Sequence, residues 1–171
     1  LPARNLKITV DKDAVIRNGI VPESMKDKIV DEIVWRIPDN ISYIYKNDLM
    51  LLDFMASNNW TRSVYFTSLS DIKNVIDIDK YLHLEGLAHR FMPVEAVDYY
   101  KDAGGVYVDG SYELLMSDDI SWGNLDHPDV AIDPESRRNI LYVKQAYMRL
   151  AGSLLSDGRT SDAVAVMDKC I

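Results

Sequence analysis

Asn58-Asn59-Trp60-Thr61-Arg62-Ser63-Val64-Tyr65-Phe66-Thr67 is the stretch that decides the fold class of this chain. A leucine-rich pattern with helical spacing ends at its two asparagines, and asparagine suits the left-handed conformation that closes many helices. The β-branched and aromatic residues 63–67 follow at once and are typical of a strand. A helix that passes directly into a strand predicts a layered α/β domain, with α+β as the alternative, in which helices pack on a mixed sheet.

The region before this stretch predicts several strands. Residues 6–10 and 41–45 alternate apolar and polar side chains, as half-buried strands do. Residues 14–17 run into Asn18-Gly19, which predicts a hairpin at that turn. Residues 29–37 are rich in β-branched side chains and favour a strand, although a helix that starts near Pro22 is the alternative.

A helix is predicted over residues 48–57, where apolar side chains line one broad face: Leu49, Leu51, Leu52, Phe54, Met55 and Ala56. We therefore expect a well-buried helix that locks onto a central strand at residues 63–67. Beyond that strand, the pattern predicts a strand at 87–94, a helical turn at 79–84, and short helices at 70–76, 94–101 and 112–116.

The C-terminal region, residues 133–171, predicts a helical hairpin. Asp133 is a good N-cap and Pro134 suits the first helical position, while Asp157-Gly158 stops the long helix. A second helix is expected from Asp162 to the chain end. The sequence thus predicts an α/β domain over residues 1–132, followed by the hairpin over residues 133–171.

The hairpin resembles a tetratricopeptide repeat, whose signature residues fall on two antiparallel helices. The matching positions are Tyr147, Leu150, Ala151, Leu154, Gly158, Ala163 and Met167. The match covers about one repeat and substitutes several signature residues in kind, so a plain helical hairpin is the alternative interpretation. Because one repeat buries only part of its apolar surface, we expect it to continue beyond Ile171 or to pack on the α/β part.

Composition excludes two classes of protein. The formal net charge is −8, and the densest basic cluster is Arg137-Arg138, so the chain is expected to repel nucleic acid. No apolar run approaches the roughly 20 residues that cross a bilayer, so no direct membrane insertion is expected of this chain. Because the first residue is Leu1, we expect a piece of a longer protein.

Motifs for catalysis or cofactor binding are missing from the sequence. It contains neither of the glycine-rich nucleotide-binding patterns nor a G-x-S-x-G nucleophile turn. His83, His89 and His127 are too dispersed for a ligand set, and the acidic stretch 118–133 is typical of a solvated loop. We therefore predict no catalytic residue, cofactor or metal, and expect Cys170 to pack as a small apolar side chain.

One group of residues at the helix-to-strand junction is a candidate interaction site or structural corner: Asn58, Asn59, Trp60, Arg62 and Tyr65. Trp60 and Arg62 are able to form a cation–π pair or a binding patch, to which Tyr65 adds a hydroxyl. The alternative, which we favour, is that Trp60 closes the end of the helix while Arg62 pairs with an aspartate.

The same segment, from Leu52-Asp53 through Asn59-Trp60 to Val64-Tyr65-Phe66, resembles a family of large bacterial multi-spanning membrane proteins that are similar to protein O-mannosyltransferases. Further matching segments span nearly the whole chain: Val10-Asp11-Lys12, residues 86–93, Trp122-Gly123-Asn124, Ile132-Asp133 and Arg137-Arg138-Asn139. The chain departs from the family pattern at Ser63, where proline is usual.

The resemblance implies a C-terminal region that follows the membrane segments and lies on the periplasmic face of an inner membrane. The catalytic acids of such glycosyltransferases lie in the membrane-embedded part, so no catalytic residue is carried over to this chain. The first hypothesis is a non-catalytic extracytoplasmic domain that binds an acceptor protein, a glycan or a neighbouring domain, with the membrane-embedded part of the same polypeptide as partner. The second is a protein-interaction module built on the tetratricopeptide-like helices, and a stand-alone enzyme comes last.

Overall fold

The structure is a computed structural model of the 171-residue chain, and it describes residues 4–69, 77–97, 103–125 and 127–170. The helix predicted at 70–76 and the second half of the helix predicted at 94–101 lie outside these residues. The chain divides into two compact units. The first comprises Leu1–His83 and Ala88–Gly105, and the second comprises Leu84–Leu87 and Val106–Ile171.

A two-stranded antiparallel sheet opens the first unit. It joins β1 (Asn5–Thr9) to β2 (Glu32–Arg36), with Leu6 opposite Trp35 and Ile8 opposite Ile33. The side chains of β2 alternate strictly, so that Ile33 and Trp35 are buried while their neighbours are exposed. Both strands confirm the sequence prediction. The alternation also fixes their register, because a shift of one residue would turn the apolar side chains toward solvent.

The hairpin predicted at residues 14–19 is wrong, because α1 (Lys12–Arg17) forms there instead. The Asp11 carboxylate accepts a hydrogen bond from the Ala14 amide at 2.9 Å and caps the helix. The helical conformation also places Ala14 and Val15 together in the core, which alternating strand geometry would not do. Gly19 follows with φ of 64°, and a 3₁₀ helix over Glu23–Lys28 leads toward β2.

The next elements are α2 (Lys46–Asn58) and β3 (Val64–Phe66), which confirm the predicted helix and strand. Two other details of the prediction are wrong. Strand β3 is not central but lies at the edge of a four-stranded sheet with the order β3-β5-β4-β6. Helix α2 is not well buried, since Leu49 and Phe54 are 59% and 52% exposed and its buried side chains are Asp48 and Met55.

The strand predicted at residues 41–45 is also wrong, because this segment has no regular secondary structure. Tyr43 and Tyr45 are both exposed, and their hydroxyls lie 3.0 Å apart. An alternating pattern makes a strand only where another strand satisfies its backbone groups. Among the described residues, none of the named strands pairs with this segment.

The remaining strands of the four-stranded sheet are β4 (Leu82–Glu85), β5 (Ala88–Phe91) and β6 (Gly105–Val106). The helical turn predicted over residues 79–84 is only partly right, because Asp79–Tyr81 form a 3₁₀ helix but Leu82–Leu84 belong to strand β4. Strand β5 pairs antiparallel with β3, with Tyr65 opposite Arg90. The helix predicted from residue 94 does not begin there, since Val94 forms an isolated antiparallel bridge with Ile29.

The second unit is mainly helical and contains α3 (Val108–Met116), α4 (Pro134–Ser156) and α5 (Thr160–Lys169). Its core brings together side chains from four segments: Leu84, Leu115, Ala146, Tyr147, Leu150, Ala151, Leu154, Ala163, Val166 and Cys170. Ser111 is fully buried there, and its hydroxyl donates to the Leu84 carbonyl at 2.7 Å and accepts from the Gly86 amide at 3.2 Å. The predicted α/β or α+β class with a C-terminal helical hairpin is therefore confirmed.

Candidate functional site

The junction between α2 and β3, which we call the 58–67 corner, is built by backbone and side-chain hydrogen bonds at the helix end. The Asn58 carbonyl accepts from the Thr61 amide at 2.9 Å and from the Thr61 hydroxyl at 2.7 Å. The Asn58 side chain donates to the Arg62 carbonyl at 2.8 Å. Asn59 and Trp60 follow the helix with φ of 50° and 59°, so the left-handed helix end expected from the asparagines is present.

Trp60 anchors this corner in the core of the first unit. Its side chain is 5% exposed, its indole stacks on Phe91 with 5.6 Å between ring centroids, and its Nε1–H donates to the Thr9 carbonyl at 2.9 Å. The Asn18 side chain in turn donates to the Trp60 carbonyl at 2.8 Å. These contacts favour a structural role for Trp60, since a buried indole with a satisfied N–H has no free surface for a ligand.

Arg62 and Tyr65 lie on the exposed side of the corner, away from the contacts of Trp60. Arg62 is exposed, and within the described parts of the chain it forms neither the expected ion pair with an aspartate nor a cation–π pair with Trp60. Tyr65 is 47% exposed on β3, and the Arg90 guanidinium carbon lies 5.8 Å from the centre of its ring. The sequence did not reveal Arg90, which reaches Tyr65 only because β5 pairs with β3.

Hydrogen bonds to neighbouring segments help to hold Arg90 in place. Its Nη2 donates to the Gly19 carbonyl and to the Ser63 hydroxyl, the latter at 3.3 Å. Ser63 is the position where the chain departs from the family pattern given above. Its hydroxyl therefore helps to fix the cation that contacts Tyr65.

A cleft of about 440 Å³ opens beside Tyr65 in the first unit. Its lining comes from the first turns of α2 and from β3 with the residues that follow it: Asn47, Asp48, Leu51, Tyr65, Phe66, Thr67 and Ser68. This volume falls in the range of about 300–1,000 Å³ that is usual for small-molecule sites. We call this site the α2–β3 cleft.

Asp48 is the charged side chain of the α2–β3 cleft. The residue is only 8% exposed, and its Oδ1 receives a long 3.4 Å hydrogen bond from the side chain of neighbouring Asn47. It lies in the first turn of α2. The cleft lining contains no lysine or arginine among the residues that the structure describes.

The second unit has an apolar groove of about 320 Å³, lined by Leu87, Ile120, Ser121, Trp122, Leu125, Ser136, Asn139, Ile140, Val143 and Tyr147. Trp122 stacks on Tyr147 at 6.2 Å, and its Nε1–H donates to the Lys169 carbonyl at 2.9 Å. The Tyr147 hydroxyl donates to the Leu115 carbonyl at 3.1 Å. The indole and phenol that line the groove thus have their polar atoms satisfied inside the unit.

Helix α4 also carries an exposed apolar stripe on a different face from its buried one. Leu141, Met148 and Leu155 recur at every seventh residue and are 56%, 60% and 55% exposed. Val164 and Met167 of α5 are exposed as well. We call these five side chains the hairpin stripe.

The histidines and the cysteine do not form a reactive group in the described residues. His83 is buried, and its Nε2–H donates to the Val94 carbonyl at 2.8 Å. Burial lowers the pKa of His83 below its usual value, against the opposing effect of that hydrogen bond. Cys170 packs in the core of the second unit, where burial raises the pKa of its thiol. Across residues 4–69, 77–97, 103–125 and 127–170, no three metal-ligating side chains come together.

The described residues define a domain of sheets and helices with an open cleft that polar and aromatic side chains line. No helix among the described residues has the length and apolar character needed to span a membrane. The sequence profile of the family described as TMEM260-associated domain 2 matches residues 1–109, which is well over half of the chain. The chain belongs to this family and is an accessory domain of a membrane protein.

The matched residues include the 58–67 corner and the α2–β3 cleft, whereas α4 and α5 lie beyond them. Searches among curated proteins and among solved structures find no match.

Proposed function

We propose that this chain is a non-catalytic extracytoplasmic domain of a membrane glycosyltransferase-like protein, and that it binds an acceptor protein, a glycan or a neighbouring domain. In this proposal the parent protein is bacterial and similar to protein O-mannosyltransferases, and the domain lies on the periplasmic face of the inner membrane. Its constant partner is the membrane-embedded part of the same polypeptide.

The observation that supports this proposal most directly is the position of the α2–β3 cleft within the family match over residues 1–109. The cleft is open and mixes aromatic, amide, hydroxyl and carboxylate groups, as binding sites for polar ligands do. A binding role on a membrane-associated domain requires only such a site, and it requires no nucleophile or metal in this chain.

The test compares the parent protein with a variant that lacks this domain. We expect the isolated domain to release no sugar from a nucleotide-activated or lipid-linked hexose above the rate without protein. We expect the deletion variant to insert normally into membranes and to lose most of its acceptor modification. Sugar transfer by the isolated domain, or full acceptor modification by the deletion variant, would contradict the proposal.

The side of the membrane is tested with an alkaline phosphatase reporter fused after Ile171, because this enzyme is active only in the periplasm.

A second candidate function, a protein-interaction module of tetratricopeptide type, is supported by the hairpin stripe. The signature positions Tyr147, Leu150, Ala151, Leu154 and Ala163 are buried, as the packing of a tetratricopeptide hairpin requires, whereas the signature position Met167 is exposed. The exposed stripe of Leu141, Met148 and Leu155 is an unusual surface for a helix with a full apolar core face.

This second function is tested with a photo-crosslinking amino acid at position 148 in the full-length parent. We expect crosslinks to a protein partner that disappear when Leu155 is changed to Glu. Asn139→Asp, which adds a negative charge at an exposed position on the opposite face of α4, is the matched control and should leave the crosslinks intact. If crosslinks survive Leu155→Glu, the hairpin stripe is not an interaction surface.

A further inference from the structure

The lining of the α2–β3 cleft specifies the chemistry of its ligand. Asn47 offers an amide with two donors and an acceptor, Asp48 offers a carboxylate, and Thr67 and Ser68 offer hydroxyls. Four side chains of this kind in a cleft of about 440 Å³ match a compact ligand with many hydroxyl groups. The same lining also offers apolar surface from Leu51, Tyr65 and Phe66, so a fitting ligand combines an apolar face with its hydroxyl groups.

The charge of the cleft indicates whether its ligand is neutral, cationic or anionic. Asp48 is negative and its carboxylate is an acceptor only, so the ligand must present hydrogen-bond donors to it. Arg90, the cation near Tyr65, already donates to the Gly19 carbonyl and the Ser63 hydroxyl. An anionic ligand would therefore be repelled by Asp48, and no basic side chain among the described lining residues offsets that repulsion.

Tyr65 and Phe66 supply the aromatic surface of the cleft. The ring of Tyr65 is 47% exposed, and the Arg90 guanidinium lies 5.8 Å from its centre. An exposed aromatic ring offers a flat apolar surface at low entropic cost, because a tyrosine side chain has only two rotatable bonds. The C–H face of a pyranose ring fits such a surface while its hydroxyls reach polar neighbours.

Strand β3 argues against an extended peptide as the ligand. Its outer edge has no partner strand in the described residues, but β3 is only three residues long, Val64–Phe66. Peptides that add a strand to a sheet gain affinity from a row of main-chain hydrogen bonds, and this edge offers few of them. The side chains of the cleft are therefore a better guide to the ligand than the strand edge.

We propose that the α2–β3 cleft is a carbohydrate-binding site for a neutral sugar, whose ring lies on Tyr65 and whose hydroxyls bond to Asp48 and Asn47. This inference rests on the proposed function and narrows it, because it selects a glycan from the three kinds of ligand given there. In this site the Asp48 carboxylate accepts hydrogen bonds from the sugar hydroxyls, and no covalent step is required.

The test is an NMR titration of the whole ¹⁵N-labelled chain with the methyl glycosides of glucose, galactose and mannose at millimolar concentration. We expect at least one neutral glycoside to shift the amide signals of residues 47–51 and 65–68. Glucuronate, an anion, is expected to leave these signals unchanged. Tyr65→Ala is expected to weaken binding roughly tenfold, and Tyr65→Phe, which keeps the ring, to retain most of it.

The matched control is Tyr43→Ala, because Tyr43 is an exposed tyrosine of the same unit that does not line the cleft. It should bind as the unchanged chain does. Asp48→Asn should weaken binding several-fold, and circular dichroism confirms that each variant is folded. The inference is overturned if no neutral glycoside shifts the cleft signals, even where the cationic sugar glucosamine does. It is also overturned if Tyr43→Ala and Tyr65→Ala lose affinity equally.

Failure of this titration is distinguishable from failure of the proposed function. If no neutral sugar binds but deletion of the domain still abolishes acceptor modification, the accessory role stands and the cleft has another ligand. If the isolated domain transfers sugar, the proposed function is wrong whatever the titration shows.

Discussion

Trp60 shows how one residue ties together parts of the first unit that are far apart in sequence. Its indole N–H bonds to Thr9, its carbonyl receives the side chain of Asn18, and its ring stacks on Phe91. A residue with φ of 59° that is not glycine carries some backbone strain, and these contacts hold it in that conformation. The corner is therefore stable through contacts that span three segments.

We predict that Trp60→Phe lowers the free energy of unfolding by about 1–3 kcal/mol. Phenylalanine keeps part of the stacking on Phe91, but the Thr9 carbonyl loses a buried donor. Urea unfolding followed by far-ultraviolet circular dichroism measures the change. Tyr45→Phe, an exposed aromatic exchange, is the control and should stay within about 0.5 kcal/mol of the parent. Equal stability of both variants would show that the indole N–H bond adds nothing.

The residues of the candidate corner were found from sequence, but their separate roles were not. The pair of asparagines before a β-type run identified the helix end, because that conformation is a local property of Asn58 and Asn59. Whether Trp60 or Tyr65 faces solvent depends on Phe91, Thr9 and Arg90, which no local pattern places nearby. The role of the candidate corner residues as an interaction site stays a prediction.

Helix α4 owes its sharp start to Asp133. The Asp133 Oδ1 accepts from the amides of Glu135 and Ser136 at 2.9 and 3.1 Å, and its Oδ2 accepts from the Ser136 hydroxyl at 2.5 Å. The hydrogen bond from the Ser136 side chain, followed by those from the backbone, holds the pKa of Asp133 below its usual value. A lowered pKa means that the ionised carboxylate stabilises the folded helix.

We predict that Asp133→Ala frays the first turn of α4 and that this effect depends on pH. The stabilisation by Asp133 is fully present above the usual carboxyl pKa of 3.8 and is lost as the pH falls through the lower pKa of the folded state. Amide hydrogen exchange at Glu135 and Ser136 should speed up in the variant at neutral pH. The parent and the variant should converge in strongly acidic solution.

Asp118→Ala, which removes another exposed carboxylate, is the control for this change and should leave exchange in α4 unaltered. If the difference between Asp133→Ala and the parent persists at low pH, the ionised carboxylate is not what caps the helix.

Elements whose features are local were predicted well, and elements that depend on distant partners were not. The alternation of Ile33 and Trp35 and the cap at Asp133 each fix conformation within a few residues, so β2 and α4 were found. Residues 41–45 alternate just as clearly, but no strand partners them in the described chain. The burial of α2 was overestimated, since the number of apolar residues in a helix does not determine how much of it the rest of the fold covers.

The α2–β3 cleft could not be predicted from the sequence for the same reason. Asn47 and Asp48 belong to the start of a helix, and Thr67 and Ser68 follow a strand, so each is ordinary in its own segment. They become a site only when the corner at Asn58 reverses the chain and brings the two segments side by side. No motif spacing records that reversal.

At the scale of the whole molecule, the chain enters the second unit for Leu84–Leu87, returns to the first for Ala88–Gly105, and then stays in the second. The domain boundary predicted between residues 132 and 133 remains a prediction. The core of the second unit includes Leu84 and Leu115 together with the hairpin, so its apolar side chains come from both sides of that position.

The interruption of the first unit by Leu84–Leu87 affects when that unit is able to fold during synthesis on the ribosome. The first unit remains incomplete after His83 has been synthesised, because Ala88–Gly105 supplies β5 and with it Phe91, the partner of Trp60. At about 5–20 residues per second, the missing segment emerges about one to four seconds later. During that interval the indole of Trp60 lacks its stacking partner, so the nascent chain exposes the corner that the finished protein buries.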